Sequence, residues 1–400
     1  MKIKSIDKEI EKIQAKTVFL RVDFNVPFQG KKITDEKKII ATLPTIRLLM
    51  RYQCKIILAT HWGRPQGKEK EELSTKKLAE RLNKLLKPSK NGKRKIFHSK
   101  KISGPEIKKQ IEKLNPGEII FLENLRFDPN EKKNDKKFAQ NLAKLVDLYV
   151  NDAFSVSHRK HASVSAIKNY LPAFAGLLLK KEIENLNKID NPEKPLVAIM
   201  GGIKVKTKDK LIKNLLPKSD KILLGGGLAN NFLAAQNYKI GKSLAQEESI
   251  ELADKIMKKN GEKIILPLDV VVNNQKNGEG KTSVKEITKV GDNDYIYDVG
   301  PETVRIFAKI IKKANTMIWN GPLGWFENKK FNQGTLMTAR LIASRSQGRA
   351  FGVAGGGETV KALKESGMED HLDWISTGGG AMLTYLSCQK MPGLKNLIKY

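Results

Sequence analysis

The chain has 400 residues and a mass of 44.9 kDa, which favours two domains, because one hydrophobic core rarely organises so long a chain. Hydrophobic residues make up 40% and charged residues 29%, values that exclude a wholly disordered or fibrous protein. The only cysteines, Cys54 and Cys388, exclude a disulfide scaffold and favour a reducing, cytoplasmic compartment. No apolar stretch is long enough to span a bilayer, and the first twenty residues do not read as a signal peptide, so we expect no membrane partner.

The formal net charge of +31 indicates affinity for anions such as nucleic acids or phosphorylated metabolites. Residues 84–101 hold eight basic side chains and no acidic one. Lysines outnumber arginines, although base recognition prefers the arginine fork, and Phe97 is the only aromatic residue in this run. We therefore interpret most of the lysines as a solvated surface, and nucleic-acid binding stays an alternative without a supporting motif.

Short apolar runs alternate with helical patterns along the whole chain. Strands are predicted over residues 17–24, 55–60, 119–122, 148–150, 196–200, 221–224, 263–272, 316–319 and 350–354. Helices are predicted over residues 74–86, 136–146, 246–258 and 303–313, and a further helix over 179–189 lies between Pro172 and Pro192. This alternation predicts an α/β protein with parallel sheets covered by helices on both faces, and the last helix is a candidate hinge.

Polar side chains follow the predicted strands of the first half, where ligands bind in open α/β sheets. Asp23 and Asn25 together can hold a substrate hydroxyl, since the carboxylate accepts and the amide donates. His61 with the arginines Arg64, Arg126 and Arg159 suits a carboxylate or phosphate. Any one of these residues is more often part of a polar turn or a surface ion pair, but the set favours a small anionic substrate. His158 and His161 lack partners to complete a metal site.

Glycines take the corresponding positions in the second half. Gly201 and Gly202 precede Lys204 and Lys208, which share one face near the positive end of a helix if a helix begins there. Glycine triplets at residues 225–227, 355–357 and 378–380 allow close backbone approach to phosphates. No P-loop or dinucleotide fingerprint is present, because Gln275 stands where a P-loop needs its first glycine. We expect a nucleotide on this half and the chemistry in the cleft between the halves.

In collinear order, these motifs resemble the phosphoglycerate kinase family. The motifs that carry the resemblance are Arg21-Val22-Asp23-Phe24-Asn25-Val26-Pro27, His61-Trp62-Gly63-Arg64-Pro65, Glu123-Asn124-Leu125-Arg126-Phe127, Asn151-Asp152-Ala153-Phe154, Gly201-Gly202-Ile203-Lys204-Val205, Asp298-Val299-Gly300-Pro301, Trp319-Asn320-Gly321-Pro322 and Ser376-Thr377-Gly378-Gly379-Gly380. The resemblance implies two Rossmann-like domains, each a parallel sheet sandwiched by helices, joined by a hinge helix. The expected parts are residues 1–172, the hinge region 173–193 and residues 194–384, with a segment from about 385 to 400 packing back on the first domain.

The resemblance also implies reversible phosphoryl transfer between 1,3-bisphosphoglycerate with ADP and 3-phosphoglycerate with ATP in glycolysis and gluconeogenesis, in line and after domain closure. Mg2+ accompanies the nucleotide, and a monomer is expected. The phosphoglycerate-binding residues implied are Arg21, Asp23, Phe24, Asn25, Lys38, His61, Trp62, Gly63, Arg64, Arg126 and Arg159. Those implied for the nucleotide are Gly202, Lys204, Lys208, Gly226, Asn320, Glu327, Gly356, Gly357, Glu358 and Thr359, with Glu358 on the metal. The catalytic set implied is Lys38, Lys204, Lys208, Gly357 and Gly380.

Two departures from the family pattern bear on activity. Lys38 stands where the family has an arginine that reaches the transferring phosphoryl group, and lysine keeps the charge but loses the fork. Glu358 stands where the family has an aspartate, so its longer arm changes the position of a bound metal. The retained charges favour an active, retuned enzyme, and a binding protein that has lost efficient transfer is the alternative.

Overall fold

The computed structural model describes residues 2–30, 32–86, 96–203 and 208–399. The chain forms two compact units, the first comprising residues 1–184 and 390–400 and the second residues 185–389. Within the described residues, no helix combines the length and the apolar character needed to cross a membrane.

The first unit is built on a six-stranded sheet. The strands of the whole unit are β1 (Lys2–Ile3), β2 (Thr17–Val22), β3 (Phe28–Gln29), β4 (Lys32–Ile33), β5 (Lys55–Ala59), β6 (Ile96–His98), β7 (Ile119–Phe121), β8 (Leu148–Asp152) and β9 (Ala173–Ala175). Its helices are α1 (Ile10–Ile13), α2 (Lys37–Arg51), α3 (Lys76–Leu85), α4 (Pro105–Glu112), α5 (Pro129–Lys133), α6 (Lys136–Ala143) and α7 (Leu177–Asp190), the last of which continues into the second unit.

The large sheet of this unit has the order β6-β7-β5-β2-β8-β9, and every neighbouring pair is parallel. Val18 and Leu20 of β2 pack with Ile46 of α2 in the core, which explains the apolar run in this strand. From β2 the chain builds one side of the sheet through β5 and the other through β8. The direction of winding therefore reverses between β2 and β8, and such a reversal opens a crevice at the carboxyl ends of the strands.

The second unit holds another six-stranded parallel sheet and a small antiparallel one. Its strands are β10 (Leu196–Met200), β11 (Lys221–Leu224), β12 (Ile264–Ile265), β13 (Asp269–Asn273), β14 (Thr282–Glu286), β15 (Tyr295–Val299), β16 (Thr316–Asn320), β17 (Phe351–Gly355) and β18 (Trp374–Ser376). Its helices are α8 (Asp209–Leu215), α9 (Gly226–Ala235), α10 (Glu247–Asn260), α11 (Pro301–Ile311), α12 (Gln333–Ser346), α13 (Gly357–Glu365) and α14 (Gly379–Leu386). A final strand, β19 (Ile398–Lys399), returns to the first unit and pairs with β1.

The parallel sheet of the second unit has the order β12-β11-β10-β16-β17-β18. Its winding reverses between β10 and β16, so this unit also has a crevice at the carboxyl ends of two central strands. Trp319 of β16 packs with Phe307 of α11 and Ile342 of α12 in the core on one face of this sheet.

One of the predicted strands was wrong. The single strand predicted over 263–272 is two strands, β12 and β13, because Pro267 lies between them and cannot donate to a ladder. β13 then pairs antiparallel with β14 and β15, an addition to the predicted parallel architecture. The helix that follows Gly202 and Lys208 in the chain is α8, which begins at Asp209.

Candidate active site

Asp23 anchors a polar site at the carboxyl end of β2. Its side chain is buried and accepts hydrogen bonds from the Lys38 ammonium at 2.7 Å and from the Ser155 hydroxyl. Burial by itself raises the pKa of Asp23, but the charges of Lys38 and His61 and these hydrogen bonds outweigh it and hold the pKa well below its ordinary value. The carboxylate is therefore ionised at neutral pH and acts only as an acceptor.

The loops that follow β2 and β5 are fastened to each other beside Asp23. The Asn25 side-chain oxygen accepts from the Gly63 amide at 2.8 Å, and the Phe24 amide donates to the Thr60 hydroxyl at 2.9 Å. Gly63 has a φ of +63°, and a Cβ there would lie 2.7 Å from the side chain of Leu73. Only glycine fits this turn, so the two loops hold their polar groups in fixed positions.

Arg21 and His61 form a buried pair. Arg21 is fully buried and donates from Nε to the Ser163 hydroxyl at 2.9 Å, while its Nη2 lies 3.3 Å from His61 Nδ1. Since arginine can only donate, His61 accepts through Nδ1 and carries its proton on Nε2. Burial lowers the pKa of His61, and the charges of Arg21 and Arg126 lower it further, whereas Asp23 opposes them. His61 is therefore a neutral donor at physiological pH.

Arg126 brings further positive charge to the same strand ends. It is nearly buried, its Nη1 donates to the Gly63 carbonyl at 2.7 Å, and its Nε is buried without a hydrogen-bond partner in the described part of the chain. Burial lowers the pKa of Arg126 to about 10, and repulsion from Arg159 and Arg21 adds to the effect. An anion that binds among these arginine side chains relieves their mutual repulsion and stabilises the cluster.

The remaining predicted residues of this site differ in exposure. Arg159 is half-buried and Arg64 is exposed. The side chains of Phe24 and Trp62 lie in the hydrophobic core, and Trp62 Nε1 donates to the Val26 carbonyl at 2.9 Å. Both aromatic residues therefore position the loops, and their side chains are not available to a ligand.

Lys208 lies at the carboxyl ends of β10 and β16, where the crevice of the second unit opens. Its side chain is buried, and its ammonium donates to the Gly201 carbonyl and, at 3.1 Å, to the Asn320 carbonyl. Burial lowers the pKa of Lys208 to about 8, and the charge of Glu358 opposes that shift. Lys204 lies outside the described residues, and Lys208 precedes helix α8, so the structure does not place the two on one helical face.

Helix α13 begins at this crevice. Gly356 has a φ of +108°, and a Cβ there would lie 2.9 Å from the Asn320 amide nitrogen. The Thr359 hydroxyl accepts from the Gly321 amide at 2.8 Å, while Glu358 is exposed in the first turn. The first turn of a helix presents free N–H groups and a positive dipole end, which bind phosphate.

Further glycines bring backbone close to this helix end. The Gly202 amide donates to the Pro322 carbonyl at 2.7 Å, which ties the ends of β10 and β16 together. Gly379 opens helix α14, and a Cβ there would lie 2.7 Å from the Gly356 Cα. Gly357 is the first residue of α13 and Gly380 the second of α14, and both are exposed.

A cleft of about 420 Å3 opens on this face of the second unit, a size that suits a small-molecule ligand. Of the predicted nucleotide residues, Gly202, Gly226, Glu327 and Glu358 line it. The other residues that line the cleft are Ile203, Gly227, Asn230, Lys242, Ser243, Leu244, Lys276, Tyr295, Ile296, Tyr297, Pro322, Gly324 and Trp325. Gly227 belongs to a glycine triplet that was predicted to approach phosphates, and Ile203 and Pro322 belong to motifs of the family resemblance. Residues such as Lys242, Leu244 and Tyr297 come from separate elements and form no motif, so no local signal could have found them.

Glu327 and Glu358 both line this cleft, and Glu358 lies in the first turn of α13. Within residues 2–30, 32–86, 96–203 and 208–399, no three His, Cys, Asp or Glu side chains are grouped to hold a metal. A carboxylate in the first turn of a helix, where phosphates can bind, suits Mg2+, which is commonly bound through one or two carboxylates, substrate phosphates and water. His158 and His161 belong to no such group.

The sequence model of the family described as phosphoglycerate kinase matches residues 8–389. The chain belongs to the phosphoglycerate kinase family. Among the relatives, the phosphoglycerate kinase of Moorella thermoacetica is 43% identical over 391 residues and that of Dictyoglomus turgidum is 43% identical over 394, each alignment covering 97% of both chains. The family assignment confirms that this chain is an enzyme, a phosphotransferase of glycolysis.

Solved structures lead to the same family. The phosphoglycerate kinase of Coxiella burnetii superimposes with a TM-score of 0.85 at 38% identity, covering 96% of this chain and 97% of that one. The phosphoglycerate kinase of Pyrococcus horikoshii gives a TM-score of 0.80 at 30% identity, with 96% of both chains covered. The predicted fold class, two parallel α/β sheets flanked by helices, is thereby confirmed.

Proposed function

We propose that the first unit binds 3-phosphoglycerate or 1,3-bisphosphoglycerate, that the second unit binds ADP or ATP, and that the γ-phosphoryl group passes between them. The observation that carries this assignment is the pair of crevices at the two reversal points, one lined by cations and the other by glycines and a helix N-terminus. A polyanionic three-carbon acid needs the first kind of site and a nucleotide the second.

In the first unit, Arg126, Arg159 and Arg64 bind the phosphate and carboxylate of the substrate. Neutral His61 donates from Nε2, and the ionised Asp23 accepts from the substrate hydroxyl. The electrostatics of Arg126 support this assignment. Repulsion from Arg159 and Arg21 helps lower the pKa of Arg126, and its buried Nε–H group, which has no hydrogen-bond partner in the described residues, can donate to an anion.

In the second unit, the nucleotide phosphates lie at the N-terminus of α13 and Lys208 neutralises the charge that moves during transfer. Glu327, exposed at the cleft, accepts from the ribose hydroxyls. Glu358 holds the Mg2+ that arrives with the nucleotide, and that ion neutralises phosphate charge when bound. Lys204, named by the resemblance, belongs to the same proposal.

Phosphoryl transfer needs positioning and charge stabilisation more than covalent chemistry. Direct in-line transfer between substrates held on different units requires the two to approach, so domain closure over the predicted hinge region 173–193 is part of the proposal. Closure also excludes water, which would otherwise hydrolyse the acyl phosphate.

We place the enzyme in the cytoplasm and propose that it acts as a monomer. Its two cysteines support the location, since Cys54 is buried and Cys388 is exposed, and neither is in a disulfide.

A coupled assay with purified protein, 3-phosphoglycerate and Mg-ATP tests the proposed reaction. We expect ADP formation that depends on both substrates and on Mg2+. Absence of turnover at millimolar concentrations of both substrates contradicts the proposal.

Replacing Lys38 by arginine is expected to raise kcat severalfold. Lys38 is half-buried and donates to Asp23 at 2.7 Å, whereas arginine can hold the carboxylate and still present further N–H groups to the transferring phosphoryl group. Steady-state kinetics of the Lys38→Arg variant measure the effect, with Lys38→Met as the matched loss of charge. An unchanged kcat in Lys38→Arg would show that this side chain does not contact the moving group.

A further inference from the structure

Glu131 is a fully buried carboxylate beside the candidate phosphoglycerate site, and it was not among the predicted site residues. It lies in helix α5, and both of its oxygens accept from Ser163. Oε1 accepts from the Ser163 hydroxyl at 2.6 Å and Oε2 from the Ser163 backbone amide at 2.9 Å. An ionised carboxylate accepts through both oxygens in this way, and the two bonds hold Ser163 in one position.

The Ser163 hydroxyl continues this chain of hydrogen bonds to Arg21. Arg21 Nε lies 2.9 Å from Ser163 Oγ, and because a guanidinium can only donate, the hydroxyl oxygen is the acceptor. The single hydroxyl proton is then donated to Glu131 Oε1. Ser163 therefore links a fully buried cation to a fully buried carboxylate.

The guanidinium of Arg21 is held at three of its donors. Nε donates to Ser163, Nη1 donates to the Val22 carbonyl, and Nη2 lies 3.3 Å from His61 Nδ1. Because the guanidinium is planar and rigid, the direction of Nε also sets the direction of Nη2. Loss of the Ser163 acceptor should therefore weaken the hydrogen bond that His61 Nδ1 receives.

The charge of Glu131 acts on Arg21 more than on the histidine beside it. Burial raises the pKa of Glu131, and the positive charge of Arg21 opposes that shift. His161 Nδ1 lies 3.9 Å from Glu131 Oε1, but burial lowers the pKa of His161 to about 4, so this ring is neutral at physiological pH. A buried arginine is costly without a counter-charge, and Glu131 supplies one through Ser163.

We propose that Glu131 and Ser163 are positioning residues that orient Arg21 toward His61 Nδ1. Through this contact they keep the proton of neutral His61 on Nε2, the nitrogen that donates to the phosphoglycerate. This inference rests on the proposed function of the first unit, although the protonation of His61 can be measured without any substrate.

The first test is 15N NMR of the histidine side chains in the free enzyme at pH 7, with His61 assigned through the His61→Ala variant. In the wild type we expect His61 to be neutral and protonated on Nε2 alone. In Ser163→Ala and in Glu131→Gln we expect a mixture of the Nε2–H and Nδ1–H forms. Ser99→Ala is the matched control, because it removes a buried hydroxyl of the same unit that accepts from the Lys101 amide at 3.2 Å, and it should leave His61 unchanged.

The second test is steady-state kinetics of the same variants. Ser163→Ala and Glu131→Gln should each raise KM for 3-phosphoglycerate about tenfold and change KM for Mg-ATP by less than about twofold. Because the effect passes through His61, adding Ser163→Ala to His61→Ala should raise KM for 3-phosphoglycerate by less than about twofold further. A purely structural role of Ser163 would add its full effect in that background.

The outcomes separate this inference from the proposed function. An unchanged Nε2–H form in a folded Ser163→Ala variant, or a tenfold rise in KM that persists in the His61→Ala background, overturns the positioning role. If neither single variant folds, the wild-type spectrum decides, because a His61 protonated on Nδ1 contradicts the chain of donors. Absence of turnover overturns the proposed function, while the spectra of the free enzyme still decide how Glu131 and Ser163 act on His61.

Discussion

Replacing Lys208 by methionine is expected to lower kcat by about 100-fold or more, because removing one preorganised charge that stabilises a transition state has effects of that size. The ammonium lies among the ends of β10 and β16, held by the carbonyls of Gly201 and Asn320. Steady-state kinetics at saturating 3-phosphoglycerate and Mg-ATP give the measurement. Lys210→Met is the matched control, since Lys210 is exposed on helix α8 and its loss should leave kcat within about twofold.

The pH dependence of Lys208 provides a second check on the same residue. Burial lowers the pKa of Lys208 to about 8, so the free enzyme loses this charge as the pH rises through that value. We expect kcat/KM for Mg-ATP to fall above pH 8 in the wild type, because this ratio reports groups of the free enzyme. Lys208→Arg keeps its charge and should move the fall to higher pH. An identical profile in both enzymes would assign the fall to another group.

Replacing Arg126 by methionine is expected to raise KM for 3-phosphoglycerate by about 10- to 100-fold, the effect of losing a hydrogen bond to a charged group in a buried site. Arg126 donates to the Gly63 carbonyl and keeps a second buried donor, Nε, without a partner in the described residues. KM for Mg-ATP should change by less than about twofold, since the nucleotide is assigned to the other unit.

Arg51 offers the control for this variant, because it is an exposed arginine of the same unit at the end of helix α2. Arg51→Met removes the same formal charge and should leave both KM values unchanged. Equal effects of the two substitutions would mean that Arg126 acts only through the general field of the basic surface.

The sheets could be predicted from sequence because their strands are continuous apolar runs. The strands predicted over 196–200 and 221–224 match β10 and β11 residue for residue, and the other predicted strands, apart from the one over 263–272, agree within two residues at either end. The antiparallel strand β14 could not be found, since Thr282–Glu286 alternates exposed and half-buried residues and holds a single apolar residue, Val284, in place of such a run. Its pairing depends on β13, which the prediction had merged with β12 across Pro267.

The candidate site, like the sheets, could be predicted from sequence only in part. Polar residues directly after apolar strands, such as Asp23 and His61, could be named because parallel strands bring their carboxyl ends to one edge. The burial of Lys208 against two carbonyls could not be read from sequence, nor could the cleft wall that contains Leu244 and Tyr297. Those features depend on contacts between distant segments, which local periodicity does not encode.

Isothermal titration of 3-phosphoglycerate and of Mg-ADP into Arg126→Met and Glu327→Ala tests whether each unit holds one substrate. Glu327 is exposed at the nucleotide cleft, so its replacement should leave the fold intact. We expect Arg126→Met to lose at least about tenfold in affinity for 3-phosphoglycerate and to keep its affinity for Mg-ADP, and we expect the reverse for Glu327→Ala. Weakening of both ligands by either variant, or no change in either, would contradict the assignment of one substrate to each unit.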